Sequence, residues 1–256
     1  MGLVLAIPLS QTRLQPLFPS IAVFLVLSLP MLLFFKEQKI KQAVLTLRVF
    51  TKESKEFFKK LALFFSVSIA VPMLASFFFF NDALITLSNN YSIYLERVFG
   101  MPDITKNIIL MIVILMSAIG GLAFGKIADK IGSLKSLKYI LISWIILLPL
   151  LGLINSLALV IICSAILGLF MGGIWTVTRA YLSQVLRREE LGYGFSFYTL
   201  FERFATFLGP LSWGGIIAFA GANATSYRIA MISMAIYVMI GYFVLRFWKR
   251  GEIVFP

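Results

Sequence analysis

Long apolar runs separated by short clusters of lysine and arginine constrain this 256-residue chain more than any other feature. Crossing a bilayer core of about 30 Å takes about 20 helical residues. Runs of roughly that size fall at 17–35, 61–87, 107–124, 137–154, 157–177, 195–219 and 229–247. They are continuous rather than alternating, which favours helices over the strands of a membrane barrel. The reading is an all-α integral membrane protein with about seven spanning helices. Composition supports it: 60% of residues are apolar and 13% charged, whereas soluble domains are about half apolar and about a quarter charged. So few charges cannot coat a water-facing surface of this size, so the lipid bilayer is the expected outer solvent.

The net charge of +12 would suit a nucleic-acid partner if it were concentrated on one face. It is instead distributed between the apolar runs, the pattern that encodes membrane topology, and no nucleic-acid partner is expected. Lys36, Lys39, Lys41, Arg48, Lys52, Lys55, Lys59 and Lys60 precede the second run. Lys126, Lys130, Lys135 and Lys138 join the third and fourth. Arg187 and Arg188 follow the fifth, and Arg246, Lys249 and Arg250 close the chain. The alternate connections hold only Arg13, Arg97, Lys106 and Arg228. The asymmetry predicts an outside N-terminus and a cytoplasmic C-terminus, in the cell membrane if the source is prokaryotic. Three segments follow: 1–35, the tail of one helix and then a spanning helix; 36–60, a basic linker; and 61–256, a six-helix bundle. Within the linker, Ile40, Val44, Leu47 and Phe50 recur at helical spacing among lysines. That suits an amphipathic helix on the inner leaflet, the alternative being a flexible tether.

Several chemistries are excluded or unsupported. The chain has no histidine and one cysteine, Cys163, inside an apolar run, so an internal disulfide is impossible and the commonest metal ligand is missing. Neither a Ser/His pair, paired carboxylates on one helix face nor a phosphate-cradling Gly-Lys-Thr loop is present. No enzymatic activity and no cofactor are expected, and ATP-driven transport would need a partner chain. The run from Leu3 to Leu9 lacks the basic leader of a signal peptide and is too short to span.

The connection between the third and fourth runs reads Gly125-Lys-Ile-Ala-Asp129-Lys130-Ile-Gly132-Ser-Leu-Lys135. It resembles the signature loop of the major facilitator superfamily. Glycines there permit a tight turn and close helix approach, and Asp129 suits a partner cation or helix N-terminus at a gate. The plain alternative is a basic turn. Further segments resemble the autophagy-related vacuolar effluxers and their prokaryotic relatives, long called the unknown major facilitator group. They are Phe80-Asn81-Asp82-Ala83-Leu84-Ile85-Thr86, Thr178-Arg179-Ala180, Gly194-Phe195-Ser196-Phe197-Tyr198, and Phe204-Ala205-Thr206-Phe207-Leu208-Gly209-Pro210-Leu211. Ser28-Leu29-Pro30 before Lys36-Glu37 looks like the end of that family's sixth helix. Two departures stand out: Ala83 where the family has glycine, and Glu202 beside Arg203. The resemblance implies helices six to twelve of a twelve-helix fold built from inverted repeats. It also implies a small organic solute, with amino-acid export as the analogy. Residues Met1 to Leu9 read like the tail of a fifth helix. A chain so placed either transports a solute or serves as a split or truncated subunit, partnered by a separate N-terminal half or a second copy.

An ionisable group inside a span must face protein or water, and is a functional candidate for that reason. Asp82, with Asn81 and Thr86, is read as lying in the outer half of its helix, either lining a cavity or making a structural hydrogen bond or helix break. Arg203 is expected near the midplane, reading a solute carboxylate or pairing with Asp82 or Glu202. On a continuous helix Glu202 shares a face with Tyr198 and Thr206, and Arg203 with Thr199 and Phe207. Asp82, Asn81, Thr86, Glu202, Arg203 and Tyr198 are the substrate or coupling-ion candidates, while Gly125, Asp129, Lys130, Gly132, Lys135 and Arg179 are the gate candidates. Gly121/Gly125 and Gly168/Gly172 are spaced for close helix packing. Pro72, Pro149 and Pro210 are expected to kink their helices, and Phe77 to Phe80 to pack or to face lipid.

Overall fold

In a lipid core every backbone donor and acceptor must be satisfied within its own segment, so apolar runs become helices. The computed structural model describes residues 17–34, 58–59, 70–188 and 190–247, and among these no strand occurs. The chain divides into two units, Met1–Ser68 and Ile69–Pro256. In the first, α1 (Leu17–Phe34) is an apolar helix with Pro30 inside it, and Phe58 and Lys59 are helical. The amphipathic helix expected over 36–60 otherwise lies outside the described residues.

The second unit is an up-and-down bundle. Its helices are α2 (Ala70–Phe99), α3 (Asp103–Ile131), α4 (Ser133–Leu153), α5 (Leu157–Val185), α6 (Leu191–Phe204), α7 (Leu208–Ala220) and α8 (Ala224–Phe247). Of these, α2, α3, α4, α5 and α8 are each long and apolar enough to cross a membrane. The run expected to span 195–219 as one helix is two, α6 and α7, broken at 205–207. A break is tolerated at membrane depth only where neighbouring protein satisfies the freed backbone. Three connections, at 100–102, 154–156 and 221–223, share one end of the bundle. Gly132 and residues 186–188 and 190 lie at the other.

Several boundaries differ from the hydropathy reading. The second span ends not at residue 87 but at Phe99, because Tyr91, Tyr94 and Leu95 resume the buried face beyond the polar Ser88-Asn89-Asn90. That places Asp82 close to the middle of α2 rather than in its outer half. The helix is unbroken at Ala83. Pro149 does lie inside α4. Pro210 kinks nothing; it sits in the first turn of α7, where a missing N–H leaves no bond unmade.

α2 is the centre of the bundle, touching α3, α5, α6, α7 and α8. Phe77 and Phe80 are fully buried on it. Ser76 Oγ donates to the Gly241 carbonyl of α8 at 2.7 Å. α3 buries few residues and holds to α5 along a seam of glycines. A methyl at Gly120 would overlap the Leu169 carbonyl, one at Gly168 the Val113 backbone, and one at Gly172 the Ser117 carbonyl. The expected Gly168/Gly172 contact is thus present. On α3, Gly121 faces the Gly172 backbone, Gly120 presses hardest against Leu169, and Gly125 meets only Thr176.

Candidate functional site

The break between α6 and α7 lies against the middle of α2. α7 begins at Leu208, and its first amides have no carbonyl within the helix to bond. Gly209 N–H finds an acceptor in another helix: it donates to Asp82 Oδ2 at 2.6 Å. Asp82 is fully buried, and its negative charge meets the positive end of the α7 dipole. The fit requires glycine, since a methyl at 209 would run into Thr86 Oγ1 and Asp82. On the other side, Tyr237 of α8 donates its hydroxyl to the Leu208 carbonyl at 3.2 Å. Asp82 therefore does serve a helix break, but in α6/α7 and not in its own helix. The alternative of an Arg203–Asp82 ion pair is replaced by this contact.

The middle of α2 and the stretch of α5 that faces it also hold buried polar atoms that protein does not satisfy. Asp82 Oδ1, Thr86 Oγ1, Asn81 Nδ2 on α2 and Thr178 Oγ1 on α5 make no hydrogen bond, and all four residues are fully buried. Trp175 of α5 points its indole N–H at Asn81 Oδ1 over a long 3.5 Å. Unpaired buried polar atoms are costly and few in native folds, so a cluster of them at mid-depth marks a place suited to a polar ligand. Among the described residues no group of three His, Cys, Asp or Glu side chains comes together.

A second layer lies one turn from the first. The Tyr198 ring of α6 stacks on Phe77 of α2, centroids 4.2 Å apart at 22°. The exposed Arg179 guanidinium of α5 lies 5.7 Å from the centroid of the same tyrosine ring. Tyr198, Phe77 and Arg179 thus form one column, with Asn81 one helical turn beyond Phe77.

Arg203 is exposed near the C-terminal end of α6, and Glu202 beside it is half-buried. Among the described residues neither makes an ion pair. The helical faces expected to link Glu202 to Thr206 and Arg203 to Phe207 do not form, because the helix stops at Phe204. Thr206 Oγ1 instead donates to the Arg203 carbonyl at 2.8 Å, closing the end of α6. The structure therefore sets Asp82 and Thr86 together against Gly209, turns Asn81 toward Trp175, places Tyr198 against Phe77 one turn away, and leaves Glu202 and Arg203 on an outer face.

The signature connection is shorter than a loop. Gly125, Asp129 and Lys130 are still in α3, Lys135 is already in α4, and Gly132 alone makes the turn. Its φ of 91° and ψ of 143° suit glycine only. Asp129, Lys130 and Lys135 are exposed, with no ion pair among the described residues.

Sequence reasoning missed Gly209, Trp175 and Thr178. A signal for the first existed: Leu208-Gly209-Pro210 carries proline in a first turn, a helix-start mark inside an apolar run. Also missed was the network at the opposite end. Arg228 donates to the Gly152 and Ile154 carbonyls and to Asn155 Oδ1, each at 2.8 Å. Lys106 binds Glu96 at 2.5 Å and Asp103 at 2.7 Å.

Comparison with known proteins bears on this bundle. The family model described as Major Facilitator Superfamily matches residues 73–252, from the first turn of α2 to beyond α8. An uncharacterized MFS-type transporter of Bacillus subtilis (strain 168), YxiO, is 25% identical over 178 residues, 68% of this chain and 40% of that protein. An uncharacterized protein of Aquifex aeolicus (strain VF5) is 22% identical over 198 residues, 77% of this chain and 51% of that protein. The chain spans about half the length, or less, of these curated relatives.

Proposed function

The chain belongs to the major facilitator superfamily, and on that premise we propose that it carries the C-terminal bundle of a secondary transporter for a small organic solute, working by alternating access. One observation supports this most: a helix broken at mid-depth, its second half capped by the buried Asp82 carboxylate, beside polar groups that protein leaves unpaired. Secondary transporters build their sites from discontinuous helices near the midplane. In this reading Asp82, Asn81 and Thr86 bind the solute or a coupling ion. Arg203, exposed at the break level, faces a wet cavity rather than lipid, since a permanent charge at that depth needs water or protein. Its two-donor fork suits a solute carboxylate, and resemblance to the autophagy-related effluxer branch supports an amino acid. Asp82 or Glu202 is the carboxyl group available to carry a proton if transport is coupled.

The basic residues of the Gly132 end support a cytoplasmic placement in the cell membrane of a prokaryote. The division into α1, a basic linker and a six-helix bundle is part of the same proposal. A second reading is favoured by the lengths of the relatives: the chain acts only with a separate N-terminal half or a second copy, as a subunit without transport of its own.

The test is flux of labelled amino acids and other carboxylate solutes in vesicles, with the chain alone and co-expressed with an N-terminal half. Arg203→Lys at matched expression is expected to lower the rate about tenfold or more, because an ammonium lacks the fork geometry. An unchanged rate removes the carboxylate role. Flux only in the paired preparation selects the second reading. Orientation is read from cysteines at Asn223 and Arg188 with Cys163 replaced: an impermeant thiol reagent should label 223 and spare 188 in intact cells, and the reverse pattern overturns the topology.

A further inference from the structure

We propose that Phe77, Tyr198 and Arg179 form a gate that closes the buried polar cluster from the Gly132 end of the bundle, and that α6 is the arm that opens it. Chain direction sets the order of the layers. α2 runs away from the Gly132 end, so Phe77 lies one turn, about 6 Å, nearer that end than Asn81. α5 runs toward it, so Arg179 lies one turn nearer than Trp175. The two turns match: Asn81 faces Trp175 in one layer, and Phe77, Tyr198 and Arg179 share the next. Exposure follows the same order. Arg179 is exposed, Tyr198 is 2% exposed, and Phe77 and Asn81 are fully buried. The route from the Gly132 end to Asn81 thus passes through one layer, in which the exposed Arg179 flanks the Tyr198 ring and that ring covers Phe77.

The halves of the broken helix are held differently. α7 is pinned by Asp82 and Tyr237 through its first-turn backbone. α6 meets α2 through aromatic faces, Tyr198 on Phe77 and Phe201 edge-on to Phe78 at 6.3 Å. Its Ser196 and Thr199 hydroxyls donate back into α6 itself, at 2.8 and 3.0 Å. Separating the stacked rings breaks no backbone hydrogen bond, whereas lifting α7 would strip an acceptor from Gly209 and a donor from Asp82 together. Residues 205–207 are the joint between the fixed half and the moving one. Breaking the column swings Tyr198 aside and connects Asn81 with the solvent at Arg179.

The gate serves the reading that the buried cluster is the solute or ion site, but its test measures access and not flux, so failures of the two are distinguishable. The full chain is placed in vesicles with an Asn81→Cys reporter and native Cys163, 6% exposed in α5, as an internal control. A small cationic methanethiosulfonate reagent is applied, and modification at the two positions is separated by mass spectrometry. Tyr198→Ala should speed reaction at position 81 by about tenfold with Cys163 still protected, while Tyr198→Phe, which keeps the ring, should stay within about twofold. Equal rates at position 81 in Tyr198→Ala and Tyr198→Phe overturn the gate. If Tyr198→Ala also exposes Cys163, Arg179→Gln decides, because it removes no buried volume: a rise at position 81 alone upholds the gate, and no rise overturns it.

Discussion

The two ends of the bundle are built on opposite principles. At the end that holds residues 100–102, 154–156 and 221–223, the basic side chains Lys106 and Arg228 are tied down. Arg228 closes the C-terminal carbonyls of α4 and lies over the Phe99 ring at 5.4 Å. Tyr94 of α2 adds a hydroxyl bond to the Leu151 carbonyl at 2.8 Å, so three helices meet in one stitched cap. At the Gly132 end, Lys126, Lys130, Lys135 and Lys138 make no ion pair among the described residues, and the inward contact is the aromatic column. One end uses its charges to hold helices to one another. The other leaves its lysines without ion pairs among the described residues, the pattern expected of charges that set topology.

This contrast makes the stitched end the place where charge removal should hurt. Arg228→Met should have the largest effect. It strips a charged donor from three acceptors, a loss of about 2 kcal/mol by the usual worth of such bonds, visible as a lower Tm in detergent. No change in Tm would mean that the cap is ornamental. Lys106→Met should cost less, because its two partners, Glu96 and Asp103, are exposed carboxylates that water can solvate in its place, although Lys106 itself is buried. The Lys106 effect should shrink as salt rises more than the Arg228 effect, since salt screens the exposed carboxylate partners of Lys106 while Arg228 binds neutral oxygens. Smallest is Lys130→Gln or Asp129→Asn at the opposite end, expected within about 0.5 kcal/mol of the unaltered chain. If Asp129→Asn nevertheless alters flux in the two-half protein, the Gly132 end acts in transport without bearing on stability. If it destabilises as much as Arg228→Met, the contrast is gone.

Much of the architecture was legible because lipid leaves the chain few choices. Apolar runs gave helices, and the glycines of α5 gave its seam with α3. The break in the sixth run was not legible from hydropathy, which sums apolarity and is blind to backbone direction. Phe204-Ala205-Thr206-Phe207-Leu208 is apolar enough to continue a helix, and only the Gly209-Pro210 pair hints otherwise. Spans were read short for a related reason. Ser88, Asn89 and Asn90 end the apolar window, yet they lie on α2, whose buried face continues through Tyr91, Tyr94 and Leu95. For the candidate site, Asn81, Asp82 and Thr86 stood out as polar residues in an apolar run. What Asp82 touches, an amide 127 positions later, depends on the meeting of two helices that no local pattern encodes.

Gly132 carries a mechanical consequence. A single residue between α3 and α4 lets their facing ends separate by no more than about 7 Å, two Cα steps. The two helices are hinged like covers on a narrow spine. α3 is seated on α5 by a seam in which backbone lies on backbone, with little side-chain padding to compress. Any tilt of α5 at the Gly132 end must drag α3 and, through one residue, the first turn of α4. A displacement near Arg179 is thereby transmitted across the width of the bundle with almost no slack.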